Sequence, residues 1–344
     1  MRKVIGAVIA IALVIGFVPN ALHAKYKKEY KLSVVVGPKG PWGEAATRFV
    51  ELVKEKTHGR VNIKPYFSGQ LFAGKQTNEF LLLKSGVADF ALGSTINWST
   101  TVKSLNLFSL PFFFAAGDKG YAQVDAVTHG KPGKMIFQQL DKLGVVGLGW
   151  GENGFREITN SKHPIKTPED LKGLKIRVVG SPIFIDIFKA LGANPTSMNW
   201  GEAVTAFRQG VVDGQENPIN VVIIPYKVYE FHKYITIWHY LIDPLIMGVN
   251  KKVWNSFTPE DQKAIREAAQ IALAEEVAKA RCGLVGGNLM AIEYLKSKGM
   301  HVTILTDAER AAFKAKTKKV YKKWVPVIGR NLVKAAEQAI SQVQ

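Results

Sequence analysis

The amino-acid sequence predicts an α/β protein of two lobes joined by a hinge. Three observations carry this. Strand and helix patterns alternate from Lys31 onward, a second alternation begins near Gly154, and no long linker or internal repeat separates the two. In the first stretch, Lys31–Val36 is apolar and β-branched. Apolar residues at 45, 46, 49, 50, 52 and 53 form the stripe of an amphipathic helix, closed by Gly59. Val61 and Ile63 alternate as in a strand, Asn78–Lys84 reads as a helix ended by Gly86, and Ala88–Leu92 reads as a buried strand. This βαβαβ order implies a parallel, doubly wound sheet.

The second stretch opens on Thr167-Pro-Glu-Asp170, an N-cap followed by proline at the first helical position and acids in the first turn. A strand over 175–179, helices over 182–191 and 200–209 and a strand over 211–213 follow. Tyr234–Trp238 reads as a strand that returns toward the first unit. Thr258-Pro-Glu-Asp261 caps a helical run to about Leu295, striped by Ile265, Ala268, Ala269, Ile271, Ala272 and Leu273. Gly283, Gly286 and Gly287 are expected to bend it. One lobe is thus expected to hold 25–153 plus about 240–282, and the other 154–239 plus about 283–344. Repeated crossings without a linker suit a hinge.

The first 24 residues read as a secretory signal. Arg2 and Lys3 precede an uncharged, almost wholly apolar run from Val4 to Val18, and Asn20-Ala-Leu-His-Ala24 offers a cleavage site. The apolar run is short against the roughly 20 residues needed to span a membrane. No cysteine follows it, and Cys282, the single cysteine, can form no internal disulfide and is expected to be a small buried group in a helix. The chain carries +18 formal charges, of which two belong to the signal. Nucleic acid is not expected as a partner of an exported protein. The dense cluster Lys314, Lys316, Lys318, Lys319, Lys322 and Lys323 has the spacing of a solvated helix face. A positive field collects anionic ligands and favours an anionic membrane surface.

The most informative stretch is Gly173–Pro218. Arg177 sits inside the apolar strand Lys175-Ile-Arg-Val-Val179, where a charge needs a partner. Its planar fork matches a carboxylate in two parallel hydrogen bonds. That partner is either a ligand or one of Glu202, Asp213 and Glu216. Some forty residues later comes Gly214-Gln-Glu-Asn-Pro218, a polar cluster read as a turn. No nucleophile or general base accompanies these groups. The run resembles the signature region of the DctP-type substrate-binding proteins of TRAP (tripartite ATP-independent periplasmic) transporters. The resemblance extends to Gly59-Arg-Val61, Gln70-Leu71, Gly86–Asp89 and Leu110-Pro-Phe112. It implies a two-lobed periplasmic-binding-protein fold with a long helix across both lobes. It also implies that Arg177 holds the solute carboxylate, with Asn217 and Arg156 completing the polar shell, or Arg156 exposed and Asn217 capping the turn. Some branches of the family bind a metal at the Glu216-Asn217 position but carry tryptophan where this chain has Asn217. No metal and no cofactor is therefore expected.

Open α/β sheets bind ligands at the C-terminal ends of their strands. Trp42, Trp98, Trp150 and Trp238 each fall just past an expected strand end. Each is either a wall of the cleft or a core aromatic, with at least two expected in the cleft. Stacking faces of this kind point to an acid larger than a four-carbon diacid. His239 either donates to the ligand or merely ends its strand. Gly149-Trp-Gly151-Glu-Asn-Gly154 matches G-x-G-x-x-G, but Phe155–Thr159 reads as extended where a dinucleotide site needs a helix. The histidines are scattered, with no metal spacing and no nucleophile elbow. The expected protein is a monomeric periplasmic binding protein, not an enzyme. It would deliver an organic acid to the membrane subunits of a TRAP transporter. An exported sugar-acid hydrolase or lyase, or a module feeding a sensor, are the alternatives.

Overall fold

The computed structural model describes residues 26–344, so the signal read at 1–24 lies outside the described residues. Among the described residues there are eleven strands: β1 (Tyr30–Val34), β2 (Ile63–Tyr66), β3 (Phe90–Ser94), β4 (Val145–Phe155), β5 (Glu157–Asn160), β6 (Lys175–Val178), β7 (Asn194–Ser197), β8 (Gly214–Asn217), β9 (Tyr234–Ile237), β10 (Ile242–Asn250) and β11 (His301–Ile304). They form two sheets, ordered β2-β1-β3-β10-β4 and β11-β9-β5-β8-β6-β7. The chain passes from the first sheet to the second at Arg156 and returns through Trp238–Leu241. The Arg156 amide donates to the Leu241 carbonyl at 3.0 Å, which ties the two crossings together.

The expected all-parallel sheet is corrected. β1 runs parallel to β2 and β3, but β10 is antiparallel to both β3 and β4. In the second sheet β6 pairs parallel with β7 and β8, while β5 is antiparallel to β8 and β9. The physical reason is the pair of crossings. Strands that leave one sheet and re-enter the other directly cannot keep the direction that a helical crossover would give them.

Local signals explain most boundaries. Helix Pro41–Lys56 has proline in its first turn and buries Ala45, Ala46, Phe49, Leu52 and Val53. Thr167 and Asp170 form a capping box, around a short 3-10 turn Pro168–Leu171. The helix begun by Thr258 stops at Arg281, and Met290–Ser297 is a separate helix: Gly283, Gly286 and Gly287 all adopt positive φ and end the run rather than bend it. Cys282 therefore lies at a helix end and is exposed, not buried. Helix Pro259–Arg281 packs on Pro41–Lys56 and β4 and also reaches the segment Ile219–Ile223 of the second lobe, and Asp307–Ile328 likewise touches both lobes, packing on the turn Lys103–Ser109 and on helix Pro182–Ala190. The last helix, Arg330–Ser341, lies against Gly117–His129 and Lys131–Lys142.

Two glycines of the G-x-G-x-x-G run have a packing reason. A Cβ at Gly149 would sit 2.7 Å from Leu273, and one at Gly151 would sit 2.9 Å from Glu276, both on helix Pro259–Arg281. The run is part of β4, and its glycines let that helix approach the sheet.

A candidate solute site between the sheets

Arg177 on β6 is 1% exposed. Its Nε and Nη2 donate to the Met198 carbonyl at 3.1 and 2.7 Å, and its guanidinium lies 5.8 Å from the Trp200 ring centre. Among the described residues no carboxylate comes within ion-pair distance, because the three expected partners are committed elsewhere. Glu202 accepts from the Asn199 amide, Asp213 from the Lys175 amide, and Glu216 from Arg156 and the Tyr240 hydroxyl. Burial is the largest cause of a guanidinium pKa pushed down to about 10; the Arg156 charge lowers it further, and Glu216 and Glu202 only partly offset this. Arg177 is a desolvated cation that still lacks an anion.

Arg156 is equally buried but fully engaged. Its Nε and Nη2 grip the Glu216 carboxylate, Nη2 also reaches the Glu216 carbonyl at 2.7 Å, and Nη1 lies 3.7 Å from Asp243. Burial would lower its pKa, and the Glu216 charge more than reverses this. Both arginines line a cavity between the sheets, together with Asn217, Trp42 and Trp200. Asn217 on β8 donates to Gln215, which donates in turn to Thr159 at 2.8 Å. The polar cluster read as a turn is thus a buried strand, its side chains satisfied by one another and by β5. Trp42 presents its ring to the cavity while its Nε1 donates to the Leu92 carbonyl at 2.8 Å.

The other candidates lie elsewhere. Trp98 is fully buried between Gly93 and Gly248, and its Nε1 donates to Glu79 at 3.0 Å. Burial raises the Glu79 carboxyl to about 8. Trp238 is core: its ring packs on Phe112, Tyr240 and Phe313, and its Nε1 holds the Arg156 carbonyl at 3.0 Å. Trp150 stands inside β4, not past its end, and stacks on Phe137 at 4.8 Å, beside a separate groove of about 960 Å³ along helix Pro259–Arg281. His239 packs edge-on against Phe155 and its backbone amide donates to the Glu157 carboxylate at 3.1 Å, outside the cavity; burial lowers its pKa.

Sequence reasoning missed Gln76, Asn97, Ser94, Asn153, Trp200 and Asp243 as cavity residues. Asp243 carried a readable signal, a lone acid in the apolar run 241–249. Gln76, Asn97, Ser94 and Asn153 are ordinary polar residues, and Trp200 an aromatic, near helix starts and strand ends. Gln76 joins the lobes: its Oε1 accepts from the Trp200 amide at 2.7 Å and its Nε2 donates to Asn97 at 2.7 Å. A second cross-lobe contact pairs the hydroxyls of Ser99 and Ser181 at 3.0 Å. The cavity measures about 30 Å³. Such a space holds no more than two or three waters, so an organic acid enters only when the lobes part. Among the described residues no group of three or more His, Cys, Asp or Glu side chains is placed to hold a metal.

Comparison with known proteins accords with this site. The profile of the DctP family, "Bacterial extracellular solute-binding protein, family 7", matches residues 32–326. The chain is 32% identical over 299 residues to the 2,3-diketo-L-gulonate-binding periplasmic protein YiaO of Escherichia coli, covering 86% of this chain and 87% of that one. It is 31% identical over 344 residues to the C4-dicarboxylate-binding periplasmic protein DctP of Rhodobacter capsulatus, covering 99% of each. Its structure superposes with a TM-score of 0.89 on a TRAP periplasmic solute-binding protein from Ralstonia eutropha H16 with bound (S)-2-acetolactate. The two are 51% identical over 92% of this chain and 100% of that one. A two-sheet α/β architecture, a buried cation without an anion and a family match over most of its length make the chain a member of the DctP family, a solute-binding protein of a TRAP transporter and not an enzyme.

Proposed function

We propose that the solute is a compact monocarboxylate, held by the guanidinium of Arg177 with Asn217, Trp42 and Trp200 around it. The carrying observation is the contrast within the cavity. Arg177 is a buried cation with no carboxylate beside it, whereas the fork of Arg156 is filled by Glu216. One ligand carboxylate is matched. A second would meet a guanidinium already shared by Glu216 and Asp243. Stacking walls for a large acid are reduced to Trp42 and Trp200, since Trp98, Trp150 and Trp238 face other parts of the molecule. The bound (S)-2-acetolactate of the Ralstonia eutropha protein, a branched monocarboxylate, supports the same class.

The supporting organisation is as follows. Residues 25–153 with about 240–282 act as one lobe and 154–239 with about 283–344 as the other, the final helix returning to the first. The chain reaches the periplasm through cleavage of the signal at 1–24. It works as a monomer, without nucleic acid, and presents the loaded lobes to the membrane subunits. A thermal-shift screen of carboxylic acids tests the ligand class, because a tight ligand adds RT ln(1 + [L]/Kd) of stability. Branched monocarboxylates such as (S)-2-acetolactate are expected to raise Tm most. A screen in which only four-carbon diacids raise it would overturn the proposal.

A further inference from the structure

We propose that Asn153 selects a 2-hydroxy acid by accepting a hydrogen bond from the solute's hydroxyl group. The inference rests on the monocarboxylate reading above. Asn153 is 3% exposed, stands on β4 and lines the cavity beside Arg156 and Asp243. Its Nδ2 donates to Asp243 Oδ2 at 2.8 Å. The other neighbours of that carboxylate are also donors: the Ser94 hydroxyl at 2.8 Å, the Thr95 hydroxyl at 2.9 Å and Arg156 at 3.7 Å. Asp243 is therefore an acceptor, and the Asn153 amide must turn its NH2 toward it. The oxygen of that amide is left over. Oδ1 is buried and has no hydrogen-bond partner.

A buried acceptor left unpaired costs free energy, and native structures rarely leave one so. A carboxylate or a ketone has no proton to offer at neutral pH, whereas a hydroxyl does. The Asn97 amide has the opposite polarity. Gln76 commits its Oε1 to the Trp200 amide and its Nε2 to Asn97 Oδ1. What Asn97 has left for the cavity is its Nδ2, a donor. The walls thus present a cation at Arg177, a donor at Asn97 and an acceptor at Asn153. Their complements are a carboxylate, a carbonyl and a hydroxyl on one small molecule. A site built around a solute hydroxyl rejects the analogue lacking it, because its own polar atom is then stranded.

Calorimetry with 2-hydroxy-3-methylbutanoate and 3-methylbutanoate, which differ by one hydroxyl, tests this. Wild type is expected to prefer the hydroxy acid by about 10- to 100-fold. Asn153→Ala should cut that preference to about threefold or less, the ratio of the two affinities being the readout. A purely structural role for Asn153 would weaken both acids together. Equal affinities in wild type would overturn the inference without needing any variant, as would an unchanged ratio in Asn153→Ala. Acids that bind with the hydroxyl indifferent leave the monocarboxylate reading standing. Wild type that binds neither acid, nor (S)-2-acetolactate, overturns both readings.

Discussion

Arg156 and Arg177 line one cavity and are buried to the same degree, yet they stand in opposite electrostatic conditions. Arg156 lies where the chain crosses from β4 to β5 and is gripped by Glu216, with Asp243 close by and Tyr240 anchoring the same Glu216 carboxylate at 2.6 Å. Arg177 lies within β6 and bonds only to a carbonyl. Burial therefore does not by itself mark a ligand-binding arginine. The mark is a desolvated fork whose charge the protein leaves uncompensated. On the proposed reading the first arginine chiefly serves the fold and the second the solute.

The comparison is broken most directly through stability. Replacing Arg156 by Met strands a buried carboxylate at Glu216, so Arg156→Met is expected to cost about 3–5 kcal/mol and lower Tm by roughly 10 °C. Arg177→Met removes an unpaired buried cation and should leave Tm unchanged or higher. Calorimetric scans that show equal losses for the two variants would erase the distinction.

The next effect is on affinity. Truncating one partner of a desolvated pair costs roughly 2–5 kcal/mol, so Arg177→Ala should weaken (S)-2-acetolactate about 30- to several-thousand-fold, and Arg177→Lys should lose much of this because ammonium lacks the fork. A Kd for Arg177→Ala within about threefold of wild type would contradict the assignment. The pH profile sharpens it. Burial places the free guanidinium near 10, and a bound anion raises it. The charged form is the binding form, so affinity is complete below pH 10 and falls about tenfold per unit above it. Titration calorimetry between pH 7 and 9 should find a flat Kd. A loss already under way at pH 8 would assign the dependence to another group.

The smallest effect concerns the contact that joins the lobes over Arg177. Gln76→Ala removes one cross-lobe hydrogen bond, worth a few-fold to about tenfold in Kd. Because the bond forms only as the lobes meet, stopped-flow measurements should place the change in the dissociation rate, with association nearly unaltered. An effect confined to association would remove Gln76 from the closure contact.

How much of this was legible follows a physical line. Arg177 was readable because a charge inside a four-residue apolar strand is anomalous on any fold. The tryptophans were read less well. A strand-end position gives a side chain's place along the chain but not the face it occupies. Trp98 turned inward over Gly93 and Gly248, and Trp238 into the cluster of Phe112, Tyr240 and Phe313. Trp150 was misplaced because its strand was expected to end at Gly149, whereas β4 runs on to Phe155 and its glycines admit helix Pro259–Arg281. Gly214–Asn217 read as a turn because it is polar, but its hydrogen bonds are made to β5 and β6 across the sheet.

The sequence by itself determined the local events: the helix start at Thr258, the α/β alternation, and the arginine that no apolar strand would hold without purpose. These depend on near neighbours in the chain, whose spacing is visible. Only the tertiary structure decided which buried charges are already balanced. Glu216 comes to Arg156 across sixty residues and Asp243 to Asn153 across ninety. The identity of an ion's partner depends on which sheet edges meet, and that is settled only when the whole core packs.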